Sequence, residues 1–377
     1  MKKKSITVTW FYGNYGSILQ AFALQKILNK IGVENEIVNY IPNNIEKIKF
    51  FLLNSSRWTV LKDKIESRKI NKYILTKEER IKKEQIFKSF NNSYLNFTKK
   101  YSNQNALNEL SDRYDYYFCG SDQIWNPSFF KKCQFLSFVS DNKPKISYAP
   151  SIGKAQLTKK EKNKIKPLLE RFTAISVREE QGAKLIESIL FKSVKVVCDP
   201  VFLLSKEEWE NFFGLKKQKD EYILCYFLGR NKKHYEIVKD FSKKTKIPIK
   251  TIPNNYCGYR LGIGVEKLVG PLEWLNLIYN AKYIFTDSFH ATAFSLIFNK
   301  NFYTVKRFND NNKKSQNTRI YNLLNIVDLK ERIIEDKIKC ETKIKISNEE
   351  WKNINKILEK YKGDSLSWLI DSISKEE

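Results

Sequence analysis

Residues 283–298 read YIFTDSFHATAFSLIF: a short apolar run, a polar turn, then a helical pattern with no spacer between them. No feature constrains the fold more, because a strand feeding straight into a helix is the repeating unit of an α/β fold with a parallel sheet. In such folds ligands bind outside the carboxyl ends of the strands. There the first free N–H groups and the dipole of the following helix favour an anion. The turn carries His290, one of two histidines in the chain, preceded by Thr286, Asp287 and Ser288.

The same rhythm recurs along the chain. Residues 5–12 are strand-like, rich in β-branched and aromatic side chains. A turn at Gly13 to Gly16 follows, and Ser17 can cap a helix whose apolar residues fall at 18, 19, 22, 23, 27, 28 and 31 before Gly32. A second strand over 34–40 completes a βαβ opening, although its glycine loop matches neither GxGxxG nor a Walker motif. Further strands are predicted at 114–119, 145–148, 174–177, 194–197, 222–228, 247–252 and 302–305. Helices are predicted at 158–171, 232–244, from Pro271 and from Ser347, whose pairing with Glu350 makes a capping box.

From about 42 to 110 the composition shifts to Lys, Asn and scattered aromatics with helical periodicity, which reads as a helical insertion in the first domain. Within it, FFLLNSSRWTVL and QIFKSFNNSYLNF mix apolar and basic residues. They form either a helical cap with a solvated face or a basic amphipathic surface for a lipid-linked or polyanionic acceptor. Asp199-Pro200 marks a domain switch, since proline stops a central strand. The expected division is 1–199 and 200–345, both Rossmann-like, with 346–377 as C-terminal helices.

A chain of 377 residues is long enough for two cores, and 42% hydrophobic residues are ample to fill them. Its 68 Lys+Arg against 42 Asp+Glu give a formal charge of +26. That excess is either solvated surface or attraction to a polyanion, an anionic membrane face or an anionic substrate. The basic residues are dispersed and form no RNP, helix-turn-helix or zinc-finger pattern, so no nucleic-acid partner is expected. Six scattered cysteines without a CxxC pair read as reduced, buried thiols. With two distant histidines and no carboxylate cluster of ligand spacing, no metal is expected. The MKKK start leads into a core strand and no apolar run reaches membrane-spanning length. A cytoplasmic protein is expected, at most peripheral at the inner membrane face.

Taken in order, GNYGSILQAFALQ, FCGSDQIWNP, SYAPSIG, ISVREEQGAKLI, VCDPVFLL and TDSFHATAFSLIFNKNF resemble the polysaccharide pyruvyl transferase family over about residues 5 to 325. The resemblance implies an α/β fold with two Rossmann-like domains facing a cleft, GT-B-like. The first domain is then the acceptor side, the second the donor side, and the last helices return to the first. It implies transfer of pyruvate from phosphoenolpyruvate, a donor substrate with no further cofactor, onto sugar hydroxyls as a ketal. The acceptor would be a cell-surface polysaccharide or glycolipid precursor. Carried onto this sequence, the donor-binding histidine falls on His290 and the arginine after the mid-chain strand on Arg178. Phe289 matches the apolar position before the histidine, whereas Ser288 stands where an arginine is usual. That departure removes a fixed charge, which Arg319, Lys313 or Arg260 could supply, and Ser288→Arg should tighten the donor.

Ketal formation needs C3 of the donor protonated, a sugar hydroxyl added at C2, phosphate expelled and a second hydroxyl added. Histidine is the ordinary group for such proton traffic near neutral pH, so His290 is the candidate to contact phosphate and assist its departure. His234, among lysines, reads as an exposed surface residue. Asp287 could orient His290 or act as a base, with helix capping the simplest role. Arg178 serves the donor or pairs with Glu179 or Glu180 on the surface. Ser121 and Asp122 suit acceptor hydroxyls, Trp125 stacks on a sugar face or fills core, and Asn14 and Tyr15 belong to an acceptor-binding loop. The alternatives are a nucleotide-sugar glycosyltransferase of the same fold and a non-catalytic saccharide-binding relative.

Overall fold

A computed structural model of the chain describes residues 2–11, 13–53, 57–308, 317–335 and 344–374, with the backbone alone at 49–53 and 57–63. Two compact units result, one of residues 1–60, 92–203 and 359–377, the other of residues 61–91 and 204–358.

The first unit takes β1 (Lys3–Val8), α1 (Tyr15–Lys30), β2 (Val33–Ile37) and α2 (Asn44–Leu53). The chain continues through α3 (Arg57–Tyr73) and α4 (Lys77–Tyr94) to β3 (Tyr116–Cys119), β4 (Lys145–Ser147), α5 (Lys159–Leu169), β5 (Ala174–Val177), α6 (Glu180–Leu190) and β6 (Lys195–Val196). The strands pair in parallel in the order β2-β1-β3-β4-β5-β6. A parallel sheet is covered on both faces, so its central strands read as unbroken apolar runs, as YYFC does in the fully buried β3. Helix α1 is apolar almost all round and correspondingly buried through Leu28.

The second unit takes α7 (Lys206–Phe213), β7 (Ile223–Tyr226), α8 (Lys232–Thr245), β8 (Ile249–Thr251), α9 (Tyr256–Leu261), α10 (Pro271–Asn280) and β9 (Tyr283–Thr286). It continues with α11 (Phe289–Ile297), β10 (Asn301–Val305), α12 (Thr318–Ile326), β11 (Ile333–Ile334) and the start of α13 (Asn348–Ser374). Its strands are also all parallel, in the order β11-β10-β9-β7-β8. Both units are Rossmann-like, the α/β class read from the sequence. Several strands are shorter than their apolar runs, because residues at one or both ends of a run leave the ladder for the adjoining loops.

The insertion divides unexpectedly. Residues 61–91 group with the second unit. Arg230 pairs with Glu66 at 2.7 Å, Lys267 with Glu79 at 3.3 Å, and Phe90 stacks on Phe213 at 5.6 Å. The side chains of FFLLNSSRWTVL lie largely outside the described ones. In QIFKSFNNSYLNF the buried Phe90 faces inward while Lys88 is exposed.

Cys119, Cys133, Cys198 and Cys225 are buried free thiols, Cys257 is partly buried, and Cys340 lies outside the described residues. Burial pushes the Cys133 and Cys198 thiols up to about 12. Among the described residues no helix is long and apolar enough to cross a membrane.

Candidate active site

The second sheet grows from β7 to β8 on one side and to β9 on the other. The carboxyl ends of β7 and β9 therefore flank a topological switch point, where such sheets place ligands. The turn between β9 and α11 lies there and is held from several directions. Thr286 Oγ1 donates to Tyr226 O at 2.7 Å and accepts from Ser288 N at 3.0 Å. The Asp287 carboxylate, with no exposed side-chain surface, accepts from Leu228 N and Gly229 N, both at 2.7 Å. Arg307, at the end of β10, donates from Nε to Asp287 Oδ2 at 3.2 Å and from Nη2 to the Asp287 carbonyl at 2.7 Å.

Asp287 is thus not the helix cap. Ser288 is the N-cap and accepts from Ala291 N at 3.4 Å, while Asp287 points to the β7 loop. The sequence favoured the acid as cap because it precedes the helix, but the two loop amides and a guanidinium satisfy it better. Gly229 permits this approach, since a Cβ there would come within 2.7 Å of Asp287 Oδ2 and 3.2 Å of Arg307 Cγ.

His290 is the second residue of α11, 6% exposed, with Phe289 set edge-on to its ring at 5.3 Å. The rest of α11 is buried, and Thr292 Oγ1 bonds both Ser288 O and Thr304 Oγ1, tying the helix start to β10. A helix so packed fixes the histidine backbone. Arg319 lies buried in α12, Arg260 is exposed at the end of α9, and Lys313 lies outside the described residues. Arg307 is the cation that the sequence reading missed. Its signal was the Lys306-Arg307 pair where the β10 apolar run ends, which reads as an ordinary charged loop.

His234 corrects another expectation. It is 2% exposed, its ring packs on Phe227 at 5.4 Å, and its Nε2 lies 3.1 Å from the Asn231 amide. Its lysine neighbours point outward, while position 234 faces the core of α8.

In the first unit the switch point lies between β1 and β3. Ser17, in the first turn of α1, donates to Asp122 Oδ2 at 2.5 Å. Asp122 holds φ 67° and ψ −167°, a region that is nearly glycine's alone. Its carbonyl accepts from Ser151 N at 2.7 Å. Behind it, Arg178 at the end of β5 is 2% exposed and bonded to Asp199 at 2.5 Å, with Glu179 at 3.4 Å and Asp122 at 3.9 Å. Burial opposes its charge, but Asp199, then Glu179 and Asp122, outweigh that and raise its pKa above the usual arginine value. Ser121 donates to Ala149 O at 2.8 Å and to Asp199 Oδ2 at 3.2 Å. Five motifs that the sequence showed separately therefore meet in one buried cluster.

These surroundings bear on four of the candidate residues. Arg178 is neither a surface residue nor an outward-facing cation, because three carboxylates take up its charge. Trp125 is 2% exposed, stacked on Phe135 at 5.4 Å and edge-on to Phe172, so it has no open face for a sugar. Asn14 caps α1 by accepting from Gly16 N at 3.1 Å, and Tyr15 is buried behind it. Among the described residues, no group of three or more His, Cys, Asp or Glu side chains is arranged to hold a metal ion.

A family model, polysaccharide pyruvyl transferase, matches residues 14–307. No curated protein matches the chain. Among solved structures, the S. aureus MnaA–UDP structure is 13% identical over 95% of this chain and 87% of that one, with a TM-score of 0.48. The Neisseria meningitidis UDP-GlcNAc 2-epimerase bound to UDP-GlcNAc is 13% identical over 99% and 100%, with a TM-score of 0.46. The E. coli heptosyltransferase WaaC with ADP is 11% identical over 95% and 99%, with a TM-score of 0.41. The ligands of these neighbours are their own.

Proposed function

The chain belongs to the polysaccharide pyruvyl transferase family, and from that premise we propose that it moves pyruvate from phosphoenolpyruvate onto two hydroxyls of a sugar. The product is a ketal on a cell-surface polysaccharide or glycolipid precursor. One observation carries the reading beyond family membership: His290 sits in the first turn of α11, at the switch point of its sheet, on a turn clamped by Asp287 and Arg307. A developing phosphate anion at that helix start meets oriented N–H groups and a group able to give a proton.

In balance, one acceptor hydroxyl proton ends on C3 of the donor and the other on the departing phosphate. The C–O bond to phosphate breaks as two C–O bonds to the sugar form. His290 handles the proton that leaves with phosphate, and Asp287 acts as a positioning residue that fixes the turn. Ser17 and Asp122 form a hydroxyl-and-carboxylate pair suited to sugar hydroxyls, the role proposed for the acceptor side, with the fully buried Ser121 bracing Asp199 behind them.

The test is His290→Ala in an assay of acceptor-dependent phosphate release from phosphoenolpyruvate. Loss of about 10²- to 10⁴-fold is expected, with an unfolding midpoint near that of the parent. Near-normal turnover would sink the assignment. Stabilisation of the wild type by nucleotide sugars and not by phosphoenolpyruvate would point instead to glycosyl transfer.

A further inference from the structure

We infer that Arg307 is the guanidinium that receives the donor's anionic group in this chain, an inference that rests on the pyruvyl-transfer reading. A ligand bearing phosphate and carboxylate needs a fixed cation, and arginine's planar fork matches either group. At the turn before His290 the N-cap position holds a serine, which brings no charge. Arg307 reaches the same turn from the neighbouring strand and bonds both the carboxylate and the carbonyl of Asp287.

The two ends of this ion pair differ in a way that assigns their roles. Asp287 has no exposed side-chain surface and is already satisfied by the Leu228 and Gly229 amides. Arg307 keeps 18% of its side chain exposed. Its Nε and Nη2 are spent on Asp287, and Nη1 makes no hydrogen bond among the described residues. Asp287 therefore aims the guanidinium rather than consuming it, and the guanidinium remains available at its outer edge. Gly229 leaves room for the stem of the side chain, since a Cβ there would come within 3.2 Å of Arg307 Cγ.

A merely structural role makes a different prediction. If Arg307 only holds Asp287, breaking the pair from either side has the same consequence. If it receives the donor, loss of the arginine costs far more than loss of the carboxylate that aims it. Titration calorimetry of the full chain with phosphoenolpyruvate separates the two. Arg307→Gln should weaken binding by roughly 10- to 100-fold, and Asp287→Asn, which keeps the guanidinium but loosens its aim, should weaken it several-fold less than that. Should Arg307→Gln fold poorly, Arg307→Lys, which keeps the charge and loses the fork, should bind at an intermediate strength. Equal losses in Arg307→Gln and Asp287→Asn, or no loss in Arg307→Gln or Arg307→Lys, overturn the inference. If the wild type binds a UDP-sugar and not phosphoenolpyruvate, the pyruvyl-transfer reading fails alone, and the same variants with that ligand decide the role of Arg307. A wild type that binds neither overturns both.

Discussion

Each sheet carries an arginine–aspartate pair at its carboxyl end, and the two pairs differ in how far the arginine is buried. In the first unit both partners are buried, Arg178 2% and Asp199 0% exposed, and Glu179 and Asp122 share the same guanidinium. In the second the aspartate is the buried partner and the arginine lies at the margin, with Arg307 18% exposed. The same two residue types thus give one end a surplus of carboxylate and the other an accessible cation. The first suits hydroxyl recognition and the second an anion, the division that the proposed transfer from a phosphorylated donor to a sugar would use.

The contrast fails first if the buried arginine can be dispensed with. Arg178→Met leaves three carboxylates packed together without their counter-ion, and breaking a buried pair costs about 3–5 kcal/mol. Denaturant unfolding should show that loss in the unit that contains it. A cost below about 1 kcal/mol would mean that Arg178 does not organise the cluster.

A smaller effect tests the strained carboxylate. At φ 67° and ψ −167°, Asp122 occupies backbone space costing about 1–3 kcal/mol for a residue with a side chain. Asp122→Ala keeps the strain and loses the Ser17 bond, whereas Asp122→Gly loses the bond and relieves the strain. The glycine variant should be more stable than the alanine variant by about 1 kcal/mol or more. Equal stabilities would show that the loop relaxes without cost and that nothing is stored at this position.

Much of this was legible in the sequence. Strands over 114–119, 174–177 and 283–285 were evident, because buried parallel strands are short unbroken apolar runs, and the ladders hold 116–119, 174–177 and 283–286. The polar turns GSD, REE and CDP were legible as strand ends. Their convergence was not, because it depends on the pairing order β1-β3-β4-β5-β6, which only the sheet defines. Misreadings came where neighbours in sequence differ from neighbours in space. His234 has lysines beside it in the chain but packs on Phe227, and Trp125 follows a polar turn but stacks on Phe135. Residues 61–91 have the composition of a cap, and nothing in that composition says which sheet they cover. Arg307 escaped notice because its partner, Asp287, is twenty residues earlier in the chain.

The smallest effect bears on the missing arginine. Ser288 is 4% exposed and caps α11 through a bond of 3.4 Å, long enough to place Ser288→Ala near the low end of capping losses, about 0.5–1 kcal/mol. Ser288→Arg forfeits the same cap and adds a charge at a turn that Arg307 already serves. In the wild-type background it should therefore tighten phosphoenolpyruvate less than about threefold, well short of the gain expected if the turn had no cation. In an Arg307→Gln background the same substitution should recover most of the lost affinity, since a guanidinium returns to the turn from the other side. Strong tightening in the wild type, or no recovery in the double variant, would separate the two positions and return the donor's charge to some other residue.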